Sequence, residues 1–336
     1  MIIDFRSDTV TKPTTAMLDA MMYAEVGDDV FEEDPSVNQL QRLAADMFGM
    51  EDALFCSSGT QTNQIAIKCH TQPGDEVICD ADAHIYQYEA GGIAFNAGCS
   101  VKLLQGNRGR INAQQVSEAI NADVHKPHSS LVCVENTSNR GGGSCYDFPE
   151  LEKIRQVCND HQLAFHIDGA RLFNAIIAKG ESPIQYGSLF DSISICLSKS
   201  LGCPVGSLLI GNKDFIKKAR RIRKVFGGGM RQAGFLAAAG IYALNNNITR
   251  LKQDHSHATQ IAEALSQKSF VRQILPVETN IIIFETNGIS APALVEKFKA
   301  ENILWYAIAP NRVRLVLHLD ITASMVEKTI EVINKF

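Results

Sequence analysis

The sequence predicts an α/β protein in which helices flank a mostly parallel β-sheet and a small C-terminal α+β domain follows. From about residue 50, short apolar runs alternate with longer amphipathic ones, which is the pattern of alternating strands and helices around a parallel sheet. The strand candidates are continuous apolar runs rather than alternating ones, as in sheets that helices cover on both faces. After residue 245 the order of the elements changes.

Six short runs between residues 76 and 210 predict the strands of this sheet. Each is rich in Leu or β-branched residues and is bounded by Gly, Asp, Asn or Pro, as expected of strands. Amphipathic stretches between them predict helices at 61–69, 112–120 and 148–160. The predicted strands are 76–79, 100–104, 131–135, 163–167, 192–197 and 207–210.

The C-terminal part of the chain predicts a separate small domain. A polar helical stretch at 248–267 leads into a strand at 281–284, a helix at 292–300, strands at 303–307 and 313–317, and a helix at 322–334. We therefore predict an N-terminal arm at 1–15 that lies over a neighbouring surface, a large domain at 16–245 and a small domain at 246–336.

Composition and charge argue against several classes of protein. The 336 residues allow about two domains, and 32 Lys and Arg against 37 Asp and Glu give a net charge of −5. Without a basic excess, we expect neither nucleic acid nor a membrane as a primary partner. Asp4, Arg6 and Asp8 interrupt any signal peptide, and the longest apolar runs fall far short of the roughly 20 residues of a membrane-spanning helix. We expect a cytoplasmic protein.

Cysteine usage predicts reduced thiols and no metal site. Nine cysteines is an odd number, their spacing is irregular, and no C-x-x-C motif is present. Neither a disulfide framework nor a zinc site is therefore indicated. We expect most of these cysteines to be small apolar residues of the core.

The stretch ISICLSKSLGCPVG, residues 193–206, carries the strongest chemical signal. A buried-strand pattern ends at Ser198 and Lys199 and passes into a loop with Gly and Pro. As an isolated feature, Lys199 is an exposed lysine at a strand end. The functional alternative is a partly desolvated amine that forms a Schiff base with an aldehyde cofactor.

The stretch LAFHIDGAR, residues 163–171, ends a second buried strand with Asp168, followed by Gly169 and Arg171. Ligands of open α/β sheets bind outside the carboxyl ends of the strands, so Asp168 and Lys199 are expected to face one crevice. An aspartate there could keep the pyridine nitrogen of pyridoxal phosphate protonated. Its alternative role is to cap the following helix.

The turn SSGTQTN, residues 57–63, leads directly into a predicted helix. Free backbone N–H groups and hydroxyls at the positive end of a helix dipole form a phosphate site, and Ser58, Gly59 and Thr60 are its candidate ligands. Ser and Thr are also ordinary helix caps. The turn is neither a Walker loop nor a G-x-G-x-x-G motif, so it does not indicate ATP or a dinucleotide.

Two further residues are candidates. His84, just after the strand at 76–79, could stack on a flat cofactor ring or carry a substrate proton, although a lone histidine is more often structural. Arg231 follows the glycines of GGGMRQ, where an arginine suits phosphate binding, and its alternative is a solvated surface residue.

These features together resemble the low-specificity threonine aldolases, in the aromatic amino acid β-eliminating lyase/threonine aldolase group. The resemblance implies the aspartate-aminotransferase-like fold (fold type I) of pyridoxal-phosphate enzymes, and it extends from about residue 2 to about residue 335. It rests on the order and spacing of DFRSDTVTKPT, GDDVF..DPSVN, SGTQTN, H-x-x-x-x-EAGG, ENT, HIDGAR, CLSKSLG-PVGS, GGGMRQ and RLVLHLD.

The resemblance implies a role for each candidate residue. Lys199 matches the Schiff-base lysine, Asp168 the partner of the pyridine nitrogen, and His84 the imidazole stacked on the ring. Gly59 and Thr60 match the phosphate-binding turn, and Arg231 matches an arginine that reaches the phosphate from the adjacent subunit. The groups matched to the substrate are Ser7, Arg171 and Arg314 at its carboxylate and His125 near its side chain.

The activity implied is cleavage of L-threonine, L-allo-threonine and related β-hydroxy amino acids to glycine and an aldehyde. The implied assembly is a homotetramer, a dimer of dimers with active sites shared between subunits. Three positions depart from the family pattern: Phe31, Ser138 and Ser200, the last of which stands where the family usually has Gly after the lysine.

Two other functions stay open on the sequence alone. One is a sibling pyridoxal-phosphate reaction, either β-elimination or hydroxymethyl transfer from serine. The other is a pyridoxal-phosphate-binding protein that has lost turnover. The presence of Asp168, His84 and Lys199 argues against the second alternative.

Overall fold

A seven-stranded sheet forms the centre of the computed structural model, which describes residues 2–336. The chain begins with a two-residue strand, β1, that lies outside this sheet. The strands up to residue 211 are β1 (Ile3–Asp4), β2 (Asp52–Cys56), β3 (Glu76–Asp80), β4 (Ser100–Leu104), β5 (Ser129–Glu135), β6 (Ala164–Gly169), β7 (Ser192–Cys196) and β8 (Ser207–Gly211).

The strand order of the large sheet is β2-β8-β7-β6-β5-β3-β4. Strands β4, β3, β5, β6 and β7 are parallel to one another, and β8 is antiparallel to both of its neighbours. Both faces are apolar: Val132 and Val134 pack into one buried cluster, and Leu131 and Cys133 pack into another. Burial on both faces explains why these strands read as continuous apolar runs.

Helices connect the strands and cover the sheet. The second helix, 35–48, shows why they form where they do: the Asp34 carboxylate accepts a hydrogen bond from the Val37 N–H (3.0 Å), Pro35 occupies the first turn, and Gly49 ends the helix at φ 63°. The helices up to residue 246 are α1 (Thr15–Met22), α2 (Pro35–Phe48), α3 (Gly59–His70), α4 (His84–Gln87), α5 (Ala113–Ala119), α6 (Phe148–Asp160), α7 (Leu172–Lys179), α8 (Pro183–Leu189), α9 (Lys213–Val225) and α10 (Gly234–Asn246).

The C-terminal part builds a second sheet with its own apolar cluster. Its four antiparallel strands have the order β12-β13-β10-β9, and β11 pairs with β1. The elements are α11 (Leu251–Ser266), β9 (Val271–Ile274), β10 (Ile281–Thr286), α12 (Ala291–Ala300), β11 (Ile303–Leu304), β12 (Tyr306–Ala309), β13 (Arg312–Val316) and α13 (Ala323–Lys335).

The N-terminal segment is integrated into this C-terminal unit rather than lying over its surface. Strand β1 is parallel to β11, and Ile3 and Phe5 are buried in the same apolar cluster as the core of the second sheet. The Phe5 carbonyl also accepts a hydrogen bond from the Val316 N–H at 2.8 Å. The segment is drawn in because Ile3 and Phe5 are apolar. The proposed domain boundaries at 15/16 and 245/246 stay predictions.

The predicted elements agree with the structure in type and differ at their ends. All six predicted strands of the large sheet form, and the helix predicted at 148–160 has those bounds. Three strands were not predicted: the two-residue β1, the strand β2 and the short edge strand β9. The strand predicted at 303–307 is two strands, β11 and β12, separated by the buried Trp305.

Two expectations drawn from composition concern the cysteines and the length of the apolar helices. All nine cysteines are buried and free, as expected of reduced thiols that serve as core residues. Among residues 2–336, the helices are too short or too polar to cross a bilayer.

We predict that Phe5→Ala destabilises the protein strongly, since it removes a fully buried aromatic ring from the C-terminal cluster. The expected loss in the free energy of unfolding is about 3–5 kcal/mol. Ile2→Ala, at a neighbouring exposed position, serves as the control and should change stability by less than about 0.5 kcal/mol. Denaturant unfolding of both variants gives the comparison, and equal stabilities would show that the N-terminal segment does not belong to this core.

Candidate active site

Five of the predicted site residues line one cavity of about 460 Å³. They come from the N-terminal segment, the large sheet and the C-terminal sheet, which meet at this cavity. Polar and apolar groups that the sequence did not single out complete its wall, among them Tyr88, Asn139 and Tyr306. The five predicted residues are Ser7, His84, Arg171, Lys199 and Arg314.

The parallel strands explain why these groups meet. Asp168 is the penultimate residue of β6, it lies beside Glu135 of β5 and Ser194 of β7, and Lys199 follows three residues after β7 ends. Carboxyl ends of adjacent parallel strands lie at one edge of a sheet, so the carboxylate and the amine converge. Asp168 is buried, and its Oδ1 accepts a hydrogen bond from the Ala170 N–H at 3.1 Å.

His84 is oriented by a carboxylate that the sequence analysis did not assign. Its Nδ1 donates to Glu89 Oε1 at 3.0 Å, and Glu89 is buried. Burial opposes protonation of the ring, but the Glu89 hydrogen bond and the charge of Asp168 outweigh it and raise the pKa of His84. The Nε2 atom remains available on the cavity side for a ligand or a proton.

Glu135, the last residue of β5, holds the backbone at His84. Its carboxylate accepts hydrogen bonds from the backbone N–H groups of His84 and Asn139, both at 2.9 Å. Burial, and next the negative charge of Asp168, raise the pKa of Glu135 to about 7. The start of α4, which carries His84, is therefore held by a carboxyl group that titrates near neutral pH.

A buried ion pair anchors Arg171. Asp8 accepts two hydrogen bonds from its guanidinium, at 2.7 and 2.8 Å, and both side chains are almost fully buried. Burial opposes ionisation of Asp8, but Arg171 outweighs it and holds the pKa of Asp8 well below its usual range. Ser200, the residue that departs from the family pattern, donates to the same carboxylate at 3.0 Å and accepts from Asn280 at 3.1 Å.

Arg314 lacks such a carboxylate. Its guanidinium donates to Asn139 Oδ1 at 2.9 Å and to the Arg6 carbonyl at 3.1 Å, and its buried Nε has no hydrogen-bond partner in the described chain. Burial, and next the positive charge of Arg171, lower the pKa of Arg314. A half-buried cation that donates only to neutral groups fits an anionic ligand, because a carboxylate would offset its desolvation.

The N-terminus of α3 fits a phosphate. Ser58 caps the helix, with its hydroxyl accepting from the Gln61 N–H at 3.2 Å. Within residues 2–336, the N–H groups of Gly59 and Thr60 have no acceptor. Unpaired N–H groups at the start of a twelve-residue helix are the donors that a phosphate group requires.

Two predicted residues lie away from the cavity of their own chain. His125 is on an exposed loop, 87% of its side chain is accessible, and its Nδ1 pairs with Asp123 at 2.8 Å. Arg231 is 55% accessible and pairs with Asp28 at 2.8 Å. The loop that joins α5 to β5 turns outward at His125, so a single chain does not bring this imidazole to the substrate side of the cavity.

Four residues of the site were missed as functional groups: Asp8, Asn63, Glu89 and Glu135. Each lies inside a motif that carried the family resemblance, so the motifs themselves were the available signal.

Donor atoms of His84, Glu89 and Asp168 also lie within 4.8 Å of one another, a spacing that suits a cation. The Asn63 amide and the His84 imidazole already donate to these carboxylates.

The donor set matches pyridoxal phosphate group by group. Lys199 offers an amine for its aldehyde, Asp168 a carboxylate for its ring nitrogen, His84 a ring for stacking, and the start of α3 N–H groups for its phosphate. The fold and the site thus define the class as a pyridoxal-phosphate enzyme.

Comparisons with known proteins give the family. The family model described as beta-eliminating lyase matches residues 4–287. The chain is 44% identical over 323 residues to the low specificity L-threonine aldolase of Escherichia coli (strain K12), covering 96% of this chain and 95% of that one. It is 40% identical over 337 residues to low-specificity L-threonine aldolase 1 of Arabidopsis thaliana, covering 98% and 94%.

A solved structure shows the same fold. The threonine aldolase of Leishmania major superposes with a TM-score of 0.87 at 24% identity, and the match covers 99% of both chains. The chain belongs to the beta-eliminating lyase family, and it is a pyridoxal-phosphate-dependent lyase of fold type I.

We predict that Glu89→Gln lowers the pKa of His84, because a neutral amide stabilises the imidazolium less than a carboxylate does. The ring-proton chemical shift of His84, followed by NMR as a function of pH, reports the change. Glu118→Gln, an exposed glutamate on α5, is the control and should leave the His84 titration where it is. A titration midpoint that is the same in Glu89→Gln and in the unmodified protein would contradict this role of Glu89.

Proposed function

We propose that this protein cleaves L-threonine, L-allo-threonine and related β-hydroxy amino acids to glycine and an aldehyde by breaking the Cα–Cβ bond. The observation that carries the proposal is the convergence of Lys199, His84 and Arg314 on one cavity beside the buried Asp168. The relatives named low-specificity L-threonine aldolase support it, since they match nearly the whole chain.

The cofactor roles follow from the donor groups that the site brings together. Lys199 would hold the aldehyde carbon of pyridoxal phosphate, Asp168 its ring nitrogen, and Ser58, Gly59 and Thr60 its phosphate. When bound, the cofactor supplies an electron-accepting ring that stabilises negative charge at the substrate Cα.

The arginines would set which substrate bond breaks. Arg314 has an unpartnered Nε, Arg171 faces the same cavity, and Ser7 lies beside both. Together they would fix the substrate carboxylate and so decide which bond on Cα stands perpendicular to the cofactor ring. Two N–H groups of Arg171 already donate to Asp8, so only its remaining N–H groups can bind a ligand.

His84 is the proposed proton acceptor for the β-hydroxyl group. Its Nδ1 is occupied by Glu89, so Nε2 is the atom that would take the proton. A contribution from His125 to this step would have to come from another subunit, because the residue lies outside the cavity of its own chain.

We also propose a cytoplasmic homotetramer, a dimer of dimers that serves glycine biosynthesis. Arg231 supports shared active sites, since within residues 2–336 its exposed guanidinium pairs with Asp28 alone, at the surface, and a phosphate dianion binds a guanidinium well. In this arrangement Arg231 of one subunit would complete the phosphate site of its neighbour.

The first prediction from this function concerns products. Protein loaded with pyridoxal phosphate should convert L-threonine to equal amounts of glycine and acetaldehyde without folate. Lys199→Ala should abolish turnover and the borohydride-trapped cofactor adduct, whereas Lys102→Ala, at an exposed lysine of β4, should retain both. His84→Ala should lower kcat by about 10²- to 10⁴-fold. Ammonia and 2-oxobutanoate in place of glycine would identify a β-eliminating lyase instead, and no product would identify a silent binding protein.

The second prediction concerns the shared site. Mixing Lys199→Ala subunits with Arg231→Ala subunits under exchange should restore activity, because one hybrid site then receives both intact residues. A mixture of Lys199→Ala with Asp168→Asn is the control and should stay inactive, since both residues serve the site of their own chain. If mass spectrometry confirms hybrid oligomers and the first mixture is also inactive, Arg231 does not act across the interface.

A further inference from the structure

A row of buried polar side chains runs from Asp168 to the opposite edge of the large sheet. Asn63 Nδ2 lies 2.9 Å from Asp168 Oδ2, and Asn63 Oδ1 lies 3.3 Å from His166 Nε2. His166 Nδ1 lies 2.8 Å from Ser192 Oγ, which lies 2.8 Å from His70 Nε2. Four contacts thus join His70 to the residue proposed to face the cofactor nitrogen.

The secondary structure explains this alignment. His166 and Asp168 lie two residues apart on β6 and so point to one face of the sheet, and Ser192 is the register partner of His166 on β7. Helix α3 packs on β6 and β7 and contributes Asn63 and His70, which are two turns apart on one face of the helix. The row therefore fills the layer between α3 and the sheet.

The Asn63 amide has only one possible orientation. Its Nδ2 lies 2.9 Å from both Asp168 Oδ2 and Glu89 Oε1, and an amide NH₂ group donates to carboxylate oxygens whereas an amide oxygen accepts. The NH₂ group must therefore face the two acids, and Oδ1 must face His166. An oxygen of this kind accepts, so His166 carries its hydrogen on Nε2.

The remaining directions follow from the neutrality of the two imidazoles. Burial lowers the pKa of His166 to about 4 and the pKa of His70 to about 3. A neutral His166 with hydrogen on Nε2 has a bare Nδ1, which accepts from the Ser192 hydroxyl. The Ser192 oxygen then accepts from His70 Nε2. The opposite tautomer of His166 would place Nε2 and Asn63 Oδ1, two acceptors, against each other. In the tautomer inferred here, the bare Nδ1 also faces the Ser192 carbonyl oxygen at 3.1 Å, and its contact with the Ser192 hydroxyl, at 2.8 Å, is the shorter one.

We infer that His70, Ser192, His166 and Asn63 form a one-way chain of hydrogen bonds, each donating toward Asp168, that orients its carboxylate toward the cofactor nitrogen. The inference rests on the proposed role of Asp168. Donated hydrogen bonds favour the charged form of a carboxylate, and aligned bonds in a dry interior polarise one another. The four residues touch neither substrate nor cofactor, so they are positioning residues.

His70, the end of the hydrogen-bond chain that lies farthest from Asp168, lines a second cavity. His70 stacks on Phe215, with ring centroids 4.6 Å apart, and both line a second cavity of about 630 Å³ at the opposite edge of the sheet. Asp191 and Lys218 are the charged residues of that cavity that act on His70. The hydrogen-bond chain thus starts at a half-buried histidine that lines this second cavity and ends at Asp168.

The test is NMR of ¹⁵N-histidine-labelled protein loaded with pyridoxal phosphate. In the unmodified protein, the ring nitrogens of His166 and His70 should both report the neutral tautomer with hydrogen on Nε2. Ser192→Ala removes the hydroxyl that donates to Nδ1. His166 should then shift toward the tautomer with hydrogen on Nδ1, because that nitrogen can donate to the backbone carbonyl of residue 192, which lies 3.1 Å away. Ser194→Ala, two residues along the same buried strand, is the matched control and should leave His166 unchanged.

Cofactor binding gives a second readout. Ser192→Ala should raise the dissociation constant of pyridoxal phosphate by roughly 3- to 10-fold, the effect of one lost hydrogen bond, and Ser194→Ala should not. Hydrogen on Nδ1 of His166 in the unmodified protein overturns the inference even if no variant folds, as does an unchanged dissociation constant in Ser192→Ala. Neither readout requires turnover. A protein without aldolase activity can therefore still show this chain of hydrogen bonds, and an active aldolase can lack it, so the two proposals fail independently.

Discussion

The buried ion pair between Asp8 and Arg171 connects all the parts of the chain that build the active site. Neither charge could be buried without the other, since an unpaired charge in the interior costs several kcal/mol. Asp8 lies 163 residues before Arg171, so the pair fixes the N-terminal segment against the strand end that carries Asp168. Through Ser200 and Asn280 the same carboxylate also reaches the lysine loop and the C-terminal sheet.

The charges of the site are arranged in two layers. Buried carboxylates form the floor, and each is offset: Glu89 by the His84 imidazole and side-chain amides, Glu135 by two backbone N–H groups, and Asp168 by the Asn63 amide. The cavity itself presents cationic groups, among them Arg314, whose guanidinium donates to neutral groups, the Asn139 amide and the Arg6 carbonyl. Such a site attracts small dianions and carboxylates to its cationic groups. The buried acids below then orient the neighbouring side chains, as Glu89 orients His84.

Of the three positions that depart from the family pattern, Ser200 is the one whose side chain hydrogen-bonds to the Asp8–Arg171 pair of the site. Ser200 adds a hydroxyl that bridges Asp8 and Asn280, so side-chain hydrogen bonds join the loop after Lys199 to the N-terminal segment and to the start of the C-terminal sheet. Ser138 is buried in a turn, where its hydroxyl accepts from the Gly141 N–H. Phe31 is exposed on the surface of its own chain.

The sequence by itself determined the fold class, the placement of Lys199 and Asp168 after two strands that end at one edge of the sheet, and the free N–H groups at the start of α3, because parallel strands place their carboxyl ends at one edge and helix starts expose N–H groups. It did not determine the partners of those groups. That Asp8 pairs with Arg171, that Glu89 orients His84, and that His125 lies outside the cavity depend on contacts between distant segments. Local periodicity carries no information about such contacts, and only the packed tertiary structure decided them, since burial forces each polar group to find a particular partner.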